Sequence, residues 1–147
     1  MYQKTLYASW GDMDFNSHMG NAAYLHKSGD VRMMFFSEHG FPMSEFLRAG
    51  IGPVIFKDQL EYFREVGLLQ EIQVTLAVAG MSEDGSRWWM RNEFLRPDGK
   101  PAARVTSEGG WIDLRARKVA APPAELLQAM QAIPRTDDFQ SLPTSVR

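Results

Sequence analysis

Apolar and polar residues alternate with a period of two from Tyr2 to Trp10, with Leu6, Ala8 and Trp10 on one face and Gln3, Thr5 and Ser9 on the other. This predicts a half-buried strand that runs straight into Gly11-Asp12. From Asn21 to about Glu38 the period changes: Tyr24, Leu25, Val31 and Phe35 recur at helical spacing, Gly29 being the one breaker, which predicts a long, mostly buried helix. Gly40-Phe41-Pro42 ends it, and Ser44 to Arg48 reads as a short helix capped by Ser44. Period two then returns. Val54 to Tyr62, Ile72 to Val78, Arg87 to Leu95 and Ala102 to Ile112 read as four strands, with turns at Ser82-Glu83-Asp84-Gly85 and Arg96-Pro97-Asp98-Gly99. Gly109-Gly110 marks a bulge or a close backbone approach in the last of these. Pro122-Pro123 opens a short helix through Met130. The elements predict one α+β domain over residues 1–133, a helix on a five-stranded antiparallel sheet, followed by a loose tail over 134–147. One helix covers one face of such a sheet, so a homodimer is expected to cover more.

Composition narrows the chemistry. The 147 residues contain no cysteine, which excludes thiol nucleophiles, disulfides and thiolate metal sites and leaves carboxylate, hydroxyl, His or Lys chemistry. The longest run of large apolar residues is Met33-Met34-Phe35-Phe36, and Met1 to Lys4 is not followed by a signal-like apolar stretch; neither membrane insertion nor secretion is expected, and a cytoplasmic setting is. The net charge of −2 argues against a nucleic-acid partner. Its distribution is uneven: residues 86–118 hold 8 Lys and Arg against 4 Asp and Glu, whereas residues 1–85 hold 6 against 11. A basic block in an acidic chain suits a local anion such as a nucleotide phosphate, or is the wet side of two strands.

Asp12, Asp14, Asn16, His18 and Asn21 crowd the junction between the first strand and the long helix. A calcium loop fails on spacing, because Ser17 and Ala23 stand where Gly and a bidentate Glu are needed. A transition-metal site would need His26 to fold back to the loop, leaving too few ligands. Two readings stay open. In one, the carboxylates cap the helix and shape the turn. In the other, Asp14 is nucleophile or general base and the amide of Asn21, at the helix start, holds an oxyanion.

The segment Trp10-Gly11-Asp12-Met13-Asp14-Phe15-Asn16-Ser17-His18-Met19-Gly20-Asn21-Ala22-Ala23-Tyr24-Leu25 resembles the signature of the hot-dog-fold acyl-CoA thioesterases of the hydroxybenzoyl-CoA type. The similarity continues through Leu60-Glu61-Tyr62-Phe63-Arg64, Pro97-Asp98-Gly99-Lys100 and Asp113-Leu114-Arg115 to Pro122-Pro123, covering about residues 2–132. The resemblance implies a long helix wrapped by an antiparallel sheet and paired into dimers or dimers of dimers. It also implies hydrolysis of an acyl-CoA with no cofactor and no metal. By resemblance, Asp14 is the catalytic carboxylate, the Asn21 backbone N–H polarises the thioester carbonyl, and His18 and Tyr24 line the acyl pocket. By resemblance, Ser86, Arg87 and Arg117 fall where relatives hold pantetheine and phosphates, often across the subunit interface. The chain departs from the family's Gly-His-x-Asn-Asn form at Ser17 and Gly20. Two other functions share such a scaffold: a hydratase or dehydratase of acyl thioesters, and a non-catalytic acyl-CoA or acyl-carrier binding module.

Overall fold

A computed structural model describes residues 1–146. Strand β1 (Tyr2–Tyr7) leads through a 3-10 turn into helix α1 (Asn21–Glu38) and the short α2 (Met43–Ala49). Then come β2 (Ile51–Tyr62), β3 (Glu71–Ser82), β4 (Arg87–Leu95), β5 (Pro101–Asp113), β6 (Lys118–Ala120), α3 (Ala124–Gln131) and β7 (Arg135–Leu142). The main sheet runs β1-β3-β4-β5-β2, all antiparallel. Two short strands extend it: β6 pairs with the end of β5, and β7 lies parallel to β3 beyond the reach of β1.

The sheet therefore has seven strands rather than five, and the expectation of a loose tail is corrected over 135–142. The sequence there has no two-residue period; it is held by partners distant in the chain. Arg91 grips Asp138 with both guanidinium nitrogens, at 3.0 and 3.2 Å. Farther on, the Thr144 hydroxyl donates to Asp84, and the Ser145 N–H donates to Ser86 Oγ at 2.9 Å.

The strand periodicity translates into burial. Along β4, Trp88, Met90, Asn92 and Phe94 are buried while the residues between them are half-covered. Trp88, Met90 and Phe94 join Val74, Leu76 and Trp111 in a core closed by Val31, Phe35 and Tyr24 of α1. Asn92 donates Nδ2 to Thr75 O at 2.8 Å, which offsets part of the cost of burying its amide, while its Oδ1 has no partner among the described residues. The long helix buries one face only: Asn21, His26, Asp30 and Glu38 are exposed, contrary to the mostly buried reading. Strand β1 stops at Tyr7, and Trp10, expected on its inner face, lies 81% exposed on the 3-10 turn. Pro42, not Ser44, occupies the cap of α2.

Gly109 and Gly110 mark a close approach. A Cβ at Gly109 would sit 2.4 Å from Val54 O, and one at Gly110 2.7 Å from Ser86 O. The associated register shift falls on β2, between Ile55 and Lys57. Phe56 is thus the extra residue, which bends β2 where it crosses the glycines.

Candidate active site

The connection between β1 and α1, Ala8 to Gly20, frames the site, and a set of backbone bonds fixes its path. The Asp14 N–H donates to His18 O at 2.9 Å, and the Ser17 N–H donates to Asp14 O at 3.2 Å. Ser17 adopts φ +66°, a left-handed conformation that glycine takes without cost. The Met19 N–H then donates to Val66 O at 2.8 Å, joining this loop to the segment after β2, and the Gly20 N–H returns to Asp12 O at 2.9 Å. Gly20, in extended conformation, caps α1. A Cβ there would lie 3.2 Å from Asp14 Cβ, so the missing side chain lets Asp14 lie against the helix start.

The two aspartates have different surroundings. Asp12 Oδ2 accepts from Ser9 N and Ser9 Oγ, each at 2.8 Å, and pairs with Lys27 Nζ at 2.9 Å. Burial alone would raise its pKa, but the bonds from Ser9 and Lys27 outweigh it and hold the carboxyl below its ordinary range. Asp14 Oδ1 accepts only from Asn16 N–H, at 2.8 Å, and Oδ2 faces His18 Nδ1 at 3.7 Å. The other ring nitrogen of His18 lies 3.9 Å from Glu65 Oε2.

Asp14 opens on a cavity of about 530 Å³ together with His18, Met19, Asn21, Tyr24 and the run Tyr62 to Glu65. Tyr24 is almost fully buried, edge-on to Tyr62 and Phe94 with ring centroids 5.5 and 5.1 Å away. Burial first, then the neighbouring Tyr62 and Asp14, push its phenol up to about 12, so it remains a neutral donor. At the helix start the Ala23 N–H is taken by Gly20 O, while the N–H groups of Asn21 and Ala22 have no acceptor among the described residues. A carboxylate, an aromatic wall and free helix-terminal donors thus meet in one cavity, a combination suited to a carbonyl substrate. Among the described residues no three His, Asp or Glu side chains gather as a metal-ligand set.

The family model for the thioesterase-like superfamily matches residues 8–130. The chain belongs to the thioesterase-like superfamily. No curated protein sequence matches it significantly. Among solved structures it is similar to a hypothetical protein from Staphylococcus aureus in complex with CoA (21% identity, TM-score 0.78, covering 92% of this chain and 87% of that one). It is also similar to a 1,4-dihydroxy-2-naphthoyl-CoA thioesterase from Synechocystis (14%, 0.78, 89% and 96%) and to a DHNA-CoA thioesterase from Staphylococcus aureus (16%, 0.80, 88% and 88%). At these identities the likeness establishes the fold, which is the hot-dog fold. Strand β7 lies beyond the residues that the superfamily model matches.

Of the residues singled out in the sequence, Asp14, His18, Asn21 and Tyr24 line the same cavity. Ser86, Arg87 and Arg117 do not. Ser86 is fully buried and its hydroxyl donates to Asp84 Oδ1 at 2.8 Å, so it ties the β3–β4 turn. Arg87 pairs with Gly110 and Arg117 follows β5, whereas the cavity residue Tyr62 pairs with Ala103. Those seven residues of β5 separate the two ends of the sheet by roughly 23 Å. The cavity residues that motif spacing did not single out are Met19, Phe63, Arg64 and Glu65. Their signal was the Tyr62-Phe63-Arg64 stretch, which becomes a wall only because Met19 N–H bonds to Val66 O.

Proposed function

We propose that this protein hydrolyses an acyl-CoA thioester to the free acid and CoA. The observation that carries the reading is that Asp14, whose Oδ2 accepts no hydrogen bond among the described residues, lines one cavity with Asn21, whose N–H at the start of α1 has no acceptor there. In the general-base form, Asp14 takes a proton from water and the hydroxide oxygen adds to the thioester carbonyl carbon. The negative charge then developing on the carbonyl oxygen is held by the amides of Asn21 and Ala22 and by the positive end of α1. Collapse breaks the carbon–sulfur bond, and the proton on Asp14 passes to the departing thiolate. In the nucleophilic form, the carboxylate itself adds, the thiolate leaves, and water cleaves the resulting anhydride. Both forms need the same ionised carboxylate. His18 orients it, and Tyr24 and Tyr62 form an aromatic wall for the acyl group.

Two of the similar structures are CoA thioesterases and a third is a complex with CoA, which supports this assignment. The reading includes a homodimer or dimer of dimers, since Ile55, Phe56, Tyr62 and Phe63 at the open β2 edge are exposed. No helix is long and apolar enough to cross a membrane. The test is thiol release from a panel of aromatic and aliphatic acyl-CoAs, which a cysteine-free protein does not obscure. Release that depends on Asp14 is expected; a folded Asp14→Asn variant with full activity would remove the assignment. Tight binding of acyl-CoA without turnover by the unaltered chain would favour a binding module instead.

A further inference from the structure

Two half-buried arginines of the sheet, Arg91 and Arg104, are paired with Asp138 and Glu93. Arg32 of α1 is half-buried too, yet it makes no ion pair within 4 Å among the described residues. Its Nη1 donates to Ser107 Oγ at 3.3 Å, and that hydroxyl gives its own proton to Asp58 Oδ1 at 2.6 Å. Asp58 thus reaches the guanidinium at one remove, across a long hydrogen bond. The remaining guanidinium N–H groups have no acceptor among the described residues. Burial lowers the Arg32 pKa from its ordinary value, and the charge of Asp58 offsets this only in part.

The same side chain borders a cavity of about 100 Å³ between α1 and the sheet, with Phe36, Met90 and the indoles of Trp88 and Trp111 as apolar walls. Gly29, on the turn before Arg32, keeps it open: a Cβ there would meet nothing nearer than Arg32 Nη2, at 3.8 Å. Trp88 is 1% exposed, and its Nε1 is buried with no hydrogen-bond partner among the described residues. No carboxylate lies in the lining. An apolar space bordered by a permanent cation and an unanswered N–H is complementary to an organic anion. Its volume is about that of three waters, at ~30 Å³ each in the liquid, which suits a carboxylate with a short hydrocarbon body. Pro53 and Ile55 complete the lining and are exposed at the free edge of β2, which gives a way in. The cavity shares no lining residue with that of Asp14, and Arg32 stands eleven residues, about 16 Å, along α1 from Asn21.

We propose that this cavity is a second binding site, for a short organic carboxylate whose anion pairs with Arg32 and whose hydrocarbon body lies between Phe36 and the two indoles. The Trp88 N–H is the additional donor. A bound carboxylate compensates the enclosed guanidinium directly, where Asp58 does so only through Ser107, and the planar fork fixes its orientation. Two sources share this chemistry: a free acid, and the carboxylate at the far end of a long dicarboxylic acyl chain. The site itself does not depend on the thioesterase reading.

The experiment titrates the full chain, in its assembled state, with butyrate and with butyramide as an uncharged probe of the same shape, and follows the Trp88 indole and Gly29 amide signals by NMR. Butyrate is expected to move both signals saturably, and butyramide to bind about tenfold more weakly, as a charge-assisted pair requires. Arg32→Gln keeps a polar side chain without the charge and is expected to lose about tenfold in butyrate affinity. Gly29→Leu leaves Arg32 charged and fills the cavity; leucine favours a helix over glycine, so the fold is retained while butyrate binding, read at Trp88, is lost. No saturable shift in the unaltered chain, equal binding of the two probes, or full butyrate affinity in either variant would overturn the proposal. Thiol release then names the source. A preference for dodecanedioyl-CoA over lauroyl-CoA that falls in Arg32→Gln assigns the anion to the acyl chain, and any other result with butyrate bound assigns it to a free acid. If butyrate binds through Arg32 but the unaltered chain cleaves no acyl-CoA, the site stands and the thioesterase reading falls.

Discussion

Asp12 and Asp14 are two residues apart in one loop, yet their surroundings are opposite. Asp12 is tied down: its Oδ2 takes two bonds from Ser9 and the ammonium of Lys27. Asp14 makes a single bond to a backbone N–H and turns its other oxygen to the cavity. A carboxylate held by an ammonium and by two bonds from one residue acts as a fastener, whereas one with a single backbone bond beside free helix-terminal donors retains capacity for chemistry. The largest expected effect tests this contrast. Asp14→Asn keeps the shape and the Asn16 bond but removes the charge, and should cut thiol release by about 10³-fold or more, in the range seen when an essential nucleophile or base is lost. Asp12→Asn should leave the reacting groups in place, lower kcat less than tenfold, and cost about 1–3 kcal/mol in urea unfolding, because the Lys27 ammonium loses its partner. Equal kinetic damage from both variants would erase the distinction.

The second effect concerns the donors that Asp14 faces. Asn21 is the first helical residue, where proline is well tolerated, and Gly20 before it is already extended. Asn21→Pro therefore deletes one N–H without breaking the helix, and should lower kcat by about 10²-fold, the usual cost of one oxyanion donor. Asn21→Ala retains the amide and should stay within a few-fold of the unaltered chain. A Pro variant as active as the Ala variant would show that the carbonyl is polarised elsewhere.

How much of this was readable in the chain follows from the same contrast. The boundaries of α1 and β4, and the clustering of Asp14, His18, Asn21 and Tyr24, are local properties: helical spacing, alternation and a short loop determine them. That Asp12 rather than Asp14 is the fastener depends on Lys27, one and a half turns into α1, and spacing alone does not assign that partner. Phe63 and Arg64 become cavity wall through the Met19–Val66 bond. Strand β7 is polar, with Arg135, Asp137 and Asp138 in its first four residues; it pairs because Arg91 and the free edge of β3 receive it. Ser86 is a polar residue at a strand start, but the Asp84 carboxylate collects its N–H and hydroxyl along with the hydroxyls of Ser82 and Thr144.

Acid should separate the two aspartates further. The Asp12 carboxyl titrates below its ordinary 3.8 when folded. Its contribution to stability is therefore complete above that value and is lost as pH falls through it toward the folded-state pKa. Urea midpoints measured from pH 6 down to pH 2 should show a smaller loss in Asp12→Asn than in the unaltered chain. A steeper acid loss in the Asp12 variant would reverse the assignment of roles.

The smallest effect lies in the turn that presents Asp14. Ser17 holds φ +66°, and its N–H bonds to Asp14 O. A Cβ makes that conformation unfavourable, while glycine, which stands here in the thioesterase signature this loop resembles, adopts it freely. Ser17→Gly should therefore stabilise the fold by about 0.5–1 kcal/mol, the relief of left-handed strain less the entropy that glycine adds to the unfolded chain. Denaturant midpoints measure the gain. Destabilisation would mean that Ser17 makes a compensating contact. Kinetics add a second reading: if kcat falls while stability rises, the restricted serine backbone helps hold Asp14 at the helix start, where Gly20 leaves room for it. If kcat holds, the Met19–Val66 and Gly20–Asp12 bonds are sufficient to place the carboxylate.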